Sequence, residues 1–221
     1  MKCIKLLAVF CLAVSLITAG GSPAAAQPFL DLYGGAVFPR LHDTEVKTST
    51  GKEENSVDMK SSFVLGARAG YWGTEVGLDW FGMGVDLSYW QSKARDAVLG
   101  SKPEVKTLPV TVLLMFRYPG EKVQPYAGVG GGLFLSKMEN DLDLSLLGGS
   151  GSGSFKDYQA DVGFDARGGL AVTVNKKISL FAEGRYVYFS PHYKDKIDGE
   201  KVTVSADVRA IQALAGISFR F

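Results

Sequence analysis

The last eleven residues, Ile211–Phe221, constrain the fold more than any other stretch of the chain. Read with a period of two, Ile211, Ala213, Ala215, Ile217, Phe219 and Phe221 share one face, and Gln212, Leu214, Gly216, Ser218 and Arg220 share the other. This period belongs to a strand, whose successive side chains point to opposite sides. One side is continuously apolar and the other small or polar, and the row runs to an aromatic at the final position. A soluble protein has little use for an exposed Phe-Arg-Phe. A strand that closes a barrel in lipid needs both the apolar outer row and the aromatic end.

The alternation recurs along the chain. Phe29–Phe38 sets Leu30, Leu32, Ala36 and Phe38 against Asp31, Tyr33 and Gly35. Ser62–Tyr71 sets Phe63, Leu65, Ala67, Ala69 and Tyr71 against Ser62, Val64, Gly66, Arg68 and Gly70. Gly82–Gln91, Thr107–Tyr118, Val123–Leu135, Asp161–Val174 and Ile178–Phe189 read the same way, and the last strand can begin as early as Val202. Between them, Pro39–Lys60, Ser92–Lys106, Ser136–Tyr158 and Pro191–Lys201 read as long polar loops. The third carries a Gly-Ser run with the composition of a flexible tether. Trp72–Phe81, Pro119–Lys122 and Asn175–Lys177 read as the shorter connections.

Eight strands joined by alternating long and short connections predict an all-β fold, an antiparallel up-and-down transmembrane β-barrel. Aromatics gather near the strand ends: Phe38, Phe63, Tyr89, Trp90 and Tyr188 toward the long loops, and Tyr71, Trp72, Trp80, Tyr118, Phe219 and Phe221 toward the short turns. Two such girdles suit two bilayer interfaces. A soluble lipocalin-like barrel would also alternate, but it would leave its polar face in water. Here the polar face is isolated charges among glycines, serines and alanines, which suits a narrow interior.

The N-terminus gives the address. Lys2 and Lys5 precede a mostly apolar run, Leu6–Ile17, and Ala24-Ala25-Ala26 offers a small-x-small cleavage site. This is the pattern of a secretory signal peptide, and the run is shorter than the roughly 20 residues a spanning helix needs. Cleavage after Ala26 is expected, so that residues 1–26 are the signal and 27–221 the barrel domain. Both cysteines, Cys3 and Cys11, fall in the removed segment, which excludes disulfides and thiolate metal sites from the mature chain. Losing Lys2 and Lys5 takes the formal charge from +1 to about −1, a balance that argues against nucleic acid as a partner.

Particular stretches carry a resemblance: Leu-Gly-Ala-Arg-Ala-Gly-Tyr-Trp at 65–72, Gly-Val-Asp-Leu-Ser-Tyr at 84–89, Gln-Pro-Tyr-Ala-Gly-Val-Gly at 124–130, Leu-Phe-Ala-Glu-Gly-Arg-Tyr at 180–186, and the closing Leu-Ala-Gly-Ile-Ser-Phe-Arg-Phe. With them the chain resembles the eight-stranded bacterial outer-membrane barrels of the opacity-protein and OmpA/OmpX-like group, over nearly all of Phe29–Phe221. The resemblance implies a place in the cell outer membrane, contact with its lipid and lipopolysaccharide, and insertion by the outer-membrane assembly machinery as a monomer. It also implies that Phe219 and Phe221 form the assembly signal. No periplasmic peptidoglycan-binding domain is expected after the barrel.

The inward charges are the best site-like feature. Arg68, Arg117, Arg167, Arg185 and Arg220 share the lumen face with Asp31, Asp86, Asp165 and Glu183. Charges in a narrow, poorly solvated interior should pair, because an isolated buried charge costs several kcal/mol, on the order of the effective desolvation penalty. They can form either a gate for small ions or a salt-bridge plug, and the bore of a barrel this size, just wide enough for side chains, favours the plug. The two histidines, His42 and His192, fall in the outer segments, where His42-Asp43 and Ser190-Pro191-His192 could be read as parts of a lipid-modifying site. Asp141-Leu142-Asp143 starts like a calcium loop, but Leu146 stands where its glycine belongs and Ser152 where its last acid belongs. Gly128–Gly132 has Leu133 at the third glycine of a dinucleotide fingerprint and no helix after it, so it more simply relieves crowding in a barrel strand or bends it. No cofactor, metal or catalytic residue is expected. The leading expectation is a non-enzymatic barrel serving envelope integrity and surface contact through its loops. A narrow porin-like channel is the alternative, and a lipid-modifying enzyme comes third.

Overall fold

The computed structural model describes residues 27–48, 51–74, 77–93, 104–143, 152–190, 192–197 and 200–221. The expected signal peptide and its cleavage point lie outside them. The described chain forms strands β1 (Gln27–Thr48), β2 (Gly51–Asp58), β3 (Ser62–Gly73), β4 (Leu78–Lys93), β5 (Glu104–Arg117), β6 (Val123–Asp143), β7 (Ser152–Thr173), β8 (Ile178–Phe189), β9 (His192–Ile197) and β10 (Glu200–Arg220).

Eight of these, β1, β3, β4, β5, β6, β7, β8 and β10, pair antiparallel in chain order, and β10 returns to β1 to close the barrel. The closing ladder runs unbroken from Phe29 opposite Arg220 to His42 opposite Asp207. Closure leaves no free edge in the wall, which is what lets a sheet cross a medium that offers no hydrogen bonds. The start of β1 and the end of β10 share one end of the barrel: the Phe221 amide donates to the Pro28 carbonyl at 3.0 Å. The short connections lie at this end. Asn175 Oδ1 caps one by accepting from the amides of Lys177 and Ile178 at 2.8 and 2.9 Å. Gly77 turns another with a φ of 74°, a left-handed conformation that glycine adopts without steric cost.

At the opposite end the strands run on where loops were expected. Most of Pro39–Lys60 is the end of β1 and the whole of β2, paired from Arg40 opposite Asp58 to Thr48 opposite Gly51. Ser136–Tyr158 is largely β6 and β7, paired out to Asp143 opposite Ser152. Pro191–Lys201 is mostly β9 and the start of β10, paired from Ser205 opposite His192 to Glu200 opposite Ile197. The backbone ladder needs no apolar face, so a paired strand of polar sequence hides from a reading based on period. Gly73 and Leu78 likewise shorten the connection expected at Trp72–Phe81.

Within the barrel the alternation sorts side chains by side. Leu65 and Val162 face outward at 56% and 78% exposure, in a belt with Leu32, Met83, Val112, Leu114, Val129, Leu133, Leu170, Leu180 and Ile217. Trp80 and Phe116 stack outside near the turn end at 5.9 Å. Two aromatics assigned to the girdles are not in them. Trp90 is 1% exposed inside the lumen, and Trp72 is buried against Phe29. Both have inward parity on strands whose outward neighbours, Tyr89 and Tyr71, keep the membrane side. Phe219 pairs with Leu30 and Ile178 on the outward parity, and the Phe221 ring is exposed.

Candidate functional site: the charged lumen

The lumen is filled in layers. Toward the loop end, Val37, Val64, Trp90, Phe134, Val187, Phe189, Val208 and Ala210 make a buried apolar layer, in which Phe134 and Phe189 stack at 4.8 Å. Below it lies an ion-pair network, and below that a cavity at the turn end.

Register brings the network together. Asp31, Arg68 and Asp86 are cross-strand neighbours on β1, β3 and β4. Arg167 and Arg185 oppose each other on β7 and β8, a like-charge pair that is unfavourable alone. Asp86 resolves it from across the lumen, accepting from Arg167 Nη1 at 2.9 Å and from Arg185 Nη1 and Nη2 at 3.3 and 3.1 Å. The Tyr33 hydroxyl adds a fourth bond to Asp86 at 2.7 Å. Glu183 accepts from Arg68 Nη1 at 2.9 Å, from the Tyr126 hydroxyl at 2.9 Å, and from Arg185 Nη2 at 3.0 Å. Asp31 holds Arg68 Nε at 2.9 Å, and Asp165 holds Arg167 Nε and Nη2 at 2.8 and 2.7 Å. Aromatic faces complete the packing, with Phe181 at 5.4 Å from the Arg68 guanidinium and Tyr33 at 5.0 Å from that of Arg185.

The structure therefore joins Asp31, Arg68, Asp86, Asp165, Arg167, Glu183 and Arg185 and leaves Arg117 and Arg220 apart from them. Arg117 donates to the Asp79 carbonyl at 2.8 Å and to Thr74 Oγ1 at 3.3 Å, and lies 4.2 Å from the Trp72 ring centroid. Arg220 donates to Gln124 Oε1 at 2.7 Å. Sequence alone places Tyr33 on the inward row with Asp31, but it singles out neither Tyr33 nor Tyr126 as a partner of the charges.

The catalytic alternative falls at the loop end. The Ser190 hydroxyl donates to Asp207, which also accepts from the Tyr188 hydroxyl at 3.1 Å. Asp207 is the cross-strand partner of His42, and Ser205 that of His192, while both histidine side chains lie outside the described part of the structure. Among the described residues no cluster of three or more His, Cys, Asp or Glu side chains is arranged to hold a metal ion.

Residues 9–221 match the family described as the outer membrane protein beta-barrel domain. The chain belongs to that family. Outer-membrane barrels keep their short turns in the periplasm and their long extensions outside, which puts the Phe221 end of this barrel on the periplasmic side. Among solved structures, OprG from Pseudomonas aeruginosa is similar, with 19% identity, a TM-score of 0.64, and coverage of 89% of this chain and 97% of that one. Neisserial surface protein A is similar with 19% identity, a TM-score of 0.51, and coverage of 87% and 97%. At such identities the likeness is one of fold. No curated protein sequence matches the chain.

Proposed function

We propose that this protein is a non-enzymatic outer-membrane barrel with a closed lumen, serving envelope integrity and surface contact. The observation that carries the reading is the doubly filled bore: a buried apolar layer lies directly outside a network in which each arginine binds a carboxylate. An ion on its way through would have to break several charge-assisted bonds and then cross a layer that offers no compensating charge. The outward belt meets outer-membrane lipid and lipopolysaccharide, and the paired extensions β1–β2, β6–β7 and β9–β10 carry the contact surface beyond the bilayer. As a monomer the barrel needs no partner chain to close its wall.

Planar-bilayer recording of the purified, unmutated protein tests this reading. No resolved channel steps are expected at voltages the bilayer withstands. A reproducible, ion-selective channel would replace it with the narrow porin-like alternative.

A further inference from the structure

We propose that the periplasmic mouth of the lumen is a binding site for a small oxyanion, a carboxylate or phosphate group, held between Arg117 and Arg220. Both arginines line a cavity of about 30 Å³ below the charge network, with Gln124 beside them and Phe29, Trp72 and Met115 in its wall. By the same measure a water needs roughly 10–15 Å³, so the space admits a group of a few heavy atoms.

The donors set the chemistry. Arg117 is only 8% exposed, yet it bonds to neutral oxygens alone among the described residues, and its buried Nη1 has no acceptor. Arg220 bonds to the amide oxygen of Gln124, and its buried Nε also has no acceptor. The two guanidinium groups bring like charge to one small cavity. The arginines of the network differ, since each of them binds a carboxylate. Trp72 under Arg117 fixes the plane of its fork, which is the preorganisation that planar recognition of an oxyanion requires.

Among the described residues two side-chain carboxylates compete. Asp31 lines the cavity and acts on Arg220 electrostatically, with its Oδ2 held by Arg68 and its buried Oδ1 without a hydrogen-bond donor. Asp79 acts on Arg117 electrostatically and gives it a backbone carbonyl, and neither acid forms an ion pair with Arg117 or Arg220 among the described contacts. The bore above is filled, so the anion enters and leaves from the periplasm and is not a permeant. The site is a receptor at the blind end of the barrel.

The experiment follows the Nε–Hε signals of Arg117 and Arg220 by NMR in the full-length protein in lipid nanodiscs. Acetate and inorganic phosphate are titrated separately against chloride at matched ionic strength. Both signals should shift saturably with at least one of the two oxyanions, and the tighter binder tells whether the site takes a carboxylate or a phosphate. Arg220→Gln, at a half-buried position, should weaken binding about tenfold or more, the loss of one charge-assisted bond. Arg117→Gln should abolish binding, Asp79→Asn should tighten it, and Arg209→Gln at the outer rim should leave it unchanged. Shifts matched by chloride, binding unaffected by Arg220→Gln, or binding seen only in Asp79→Asn would each overturn the proposal. The last result would make Asp79 the resident counter-charge.

Discussion

Asp86 accepts hydrogen bonds from Tyr33, Arg167 and Arg185, which come from three different strands of the wall. Asp165 has a narrower role, bonding to Arg167 alone among the described residues. The network holds three arginines, Arg68, Arg167 and Arg185, against four acids, so neutralising either aspartate would balance its formal charge. That long-range relief competes with contacts at hydrogen-bonding distance, and in a poorly solvated lumen the contacts dominate. Asp86→Asn strips charge from two opposed guanidinium groups at once. It should destabilise the barrel by about 3–5 kcal/mol, the usual cost of breaking a buried pair from one side. Asp165→Asn should cost less, because Arg167 keeps Asp86. Urea unfolding in lipid vesicles measures both, and an Asp165→Asn loss equal to that of Asp86→Asn would remove Asp86 from the centre of the network. The inward parity of these acids is legible in sequence, but their partners are not. Arg68 and Arg220 have the same parity, yet one is locked among carboxylates and the other stands at the mouth, because height in the barrel depends on strand register.

Strand by strand, glycines stand opposite the large inward rings. Phe29 faces Gly70, Tyr33 faces Gly66, Tyr126 faces Gly169 and Phe181 faces Gly216 across adjacent strands. A Cβ on Gly66 would come within 2.3 Å of the Tyr33 ring, and one on Gly216 within 2.7 Å of the Phe181 ring. The inward members of the Gly128–Gly132 cluster do the same for the network: Gly128 opposes Arg167 and Gly130 opposes Asp165. A bore this narrow accepts rings and guanidinium groups only where the neighbouring strand presents no side chain. Tyr33 cannot step aside freely, since its hydroxyl is tied to Asp86. Gly66→Ala should therefore cost about 1–3 kcal/mol, as overpacking does in a filled core. Outward-facing Gly131, where a Cβ would meet only the Gly163 carbonyl at 3.9 Å, should accept alanine with little change. Equal unfolding midpoints for the two variants would show that ring-over-glycine packing does not limit the bore. The sequence displays these glycines plainly, but only the register shows which ring each one accommodates.

For the molecule as a whole, legibility follows the solvent. Where lipid lies on one side and a filled lumen on the other, each strand must alternate, and Ile178–Phe189 can be read from sequence to the same bounds that the structure has. Beyond the bilayer that requirement ends, and the far parts of β1, β6 and β7 and the whole of β2 and β9 read as polar loops although their backbones remain paired. The same reasoning predicts how the barrel responds to a charge placed on its outer wall. On β5 the outward row runs Leu108, Val110, Val112, Leu114 and Phe116, with Tyr118 just past the strand end. Val112, at 58% exposure, is the middle of that row, and Tyr118, at 71%, lies at its periplasmic margin beside the Trp80–Phe116 stack. If exposure were exposure to water, arginine would be tolerated equally at both. If the belt is in hydrocarbon, Val112→Arg must bring a guanidinium to the depth where it costs about 2–4 kcal/mol, while Tyr118→Arg at the interface costs about 0–1 kcal/mol. Unfolding in lipid vesicles should show that difference, and the same pair compared in detergent micelles should show it reduced, because a micelle lets water and headgroups reach the middle of the belt. A Val112→Arg variant as stable in vesicles as Tyr118→Arg would place the middle of the outward row outside the hydrocarbon, and with it the height assigned to every layer of the lumen behind it.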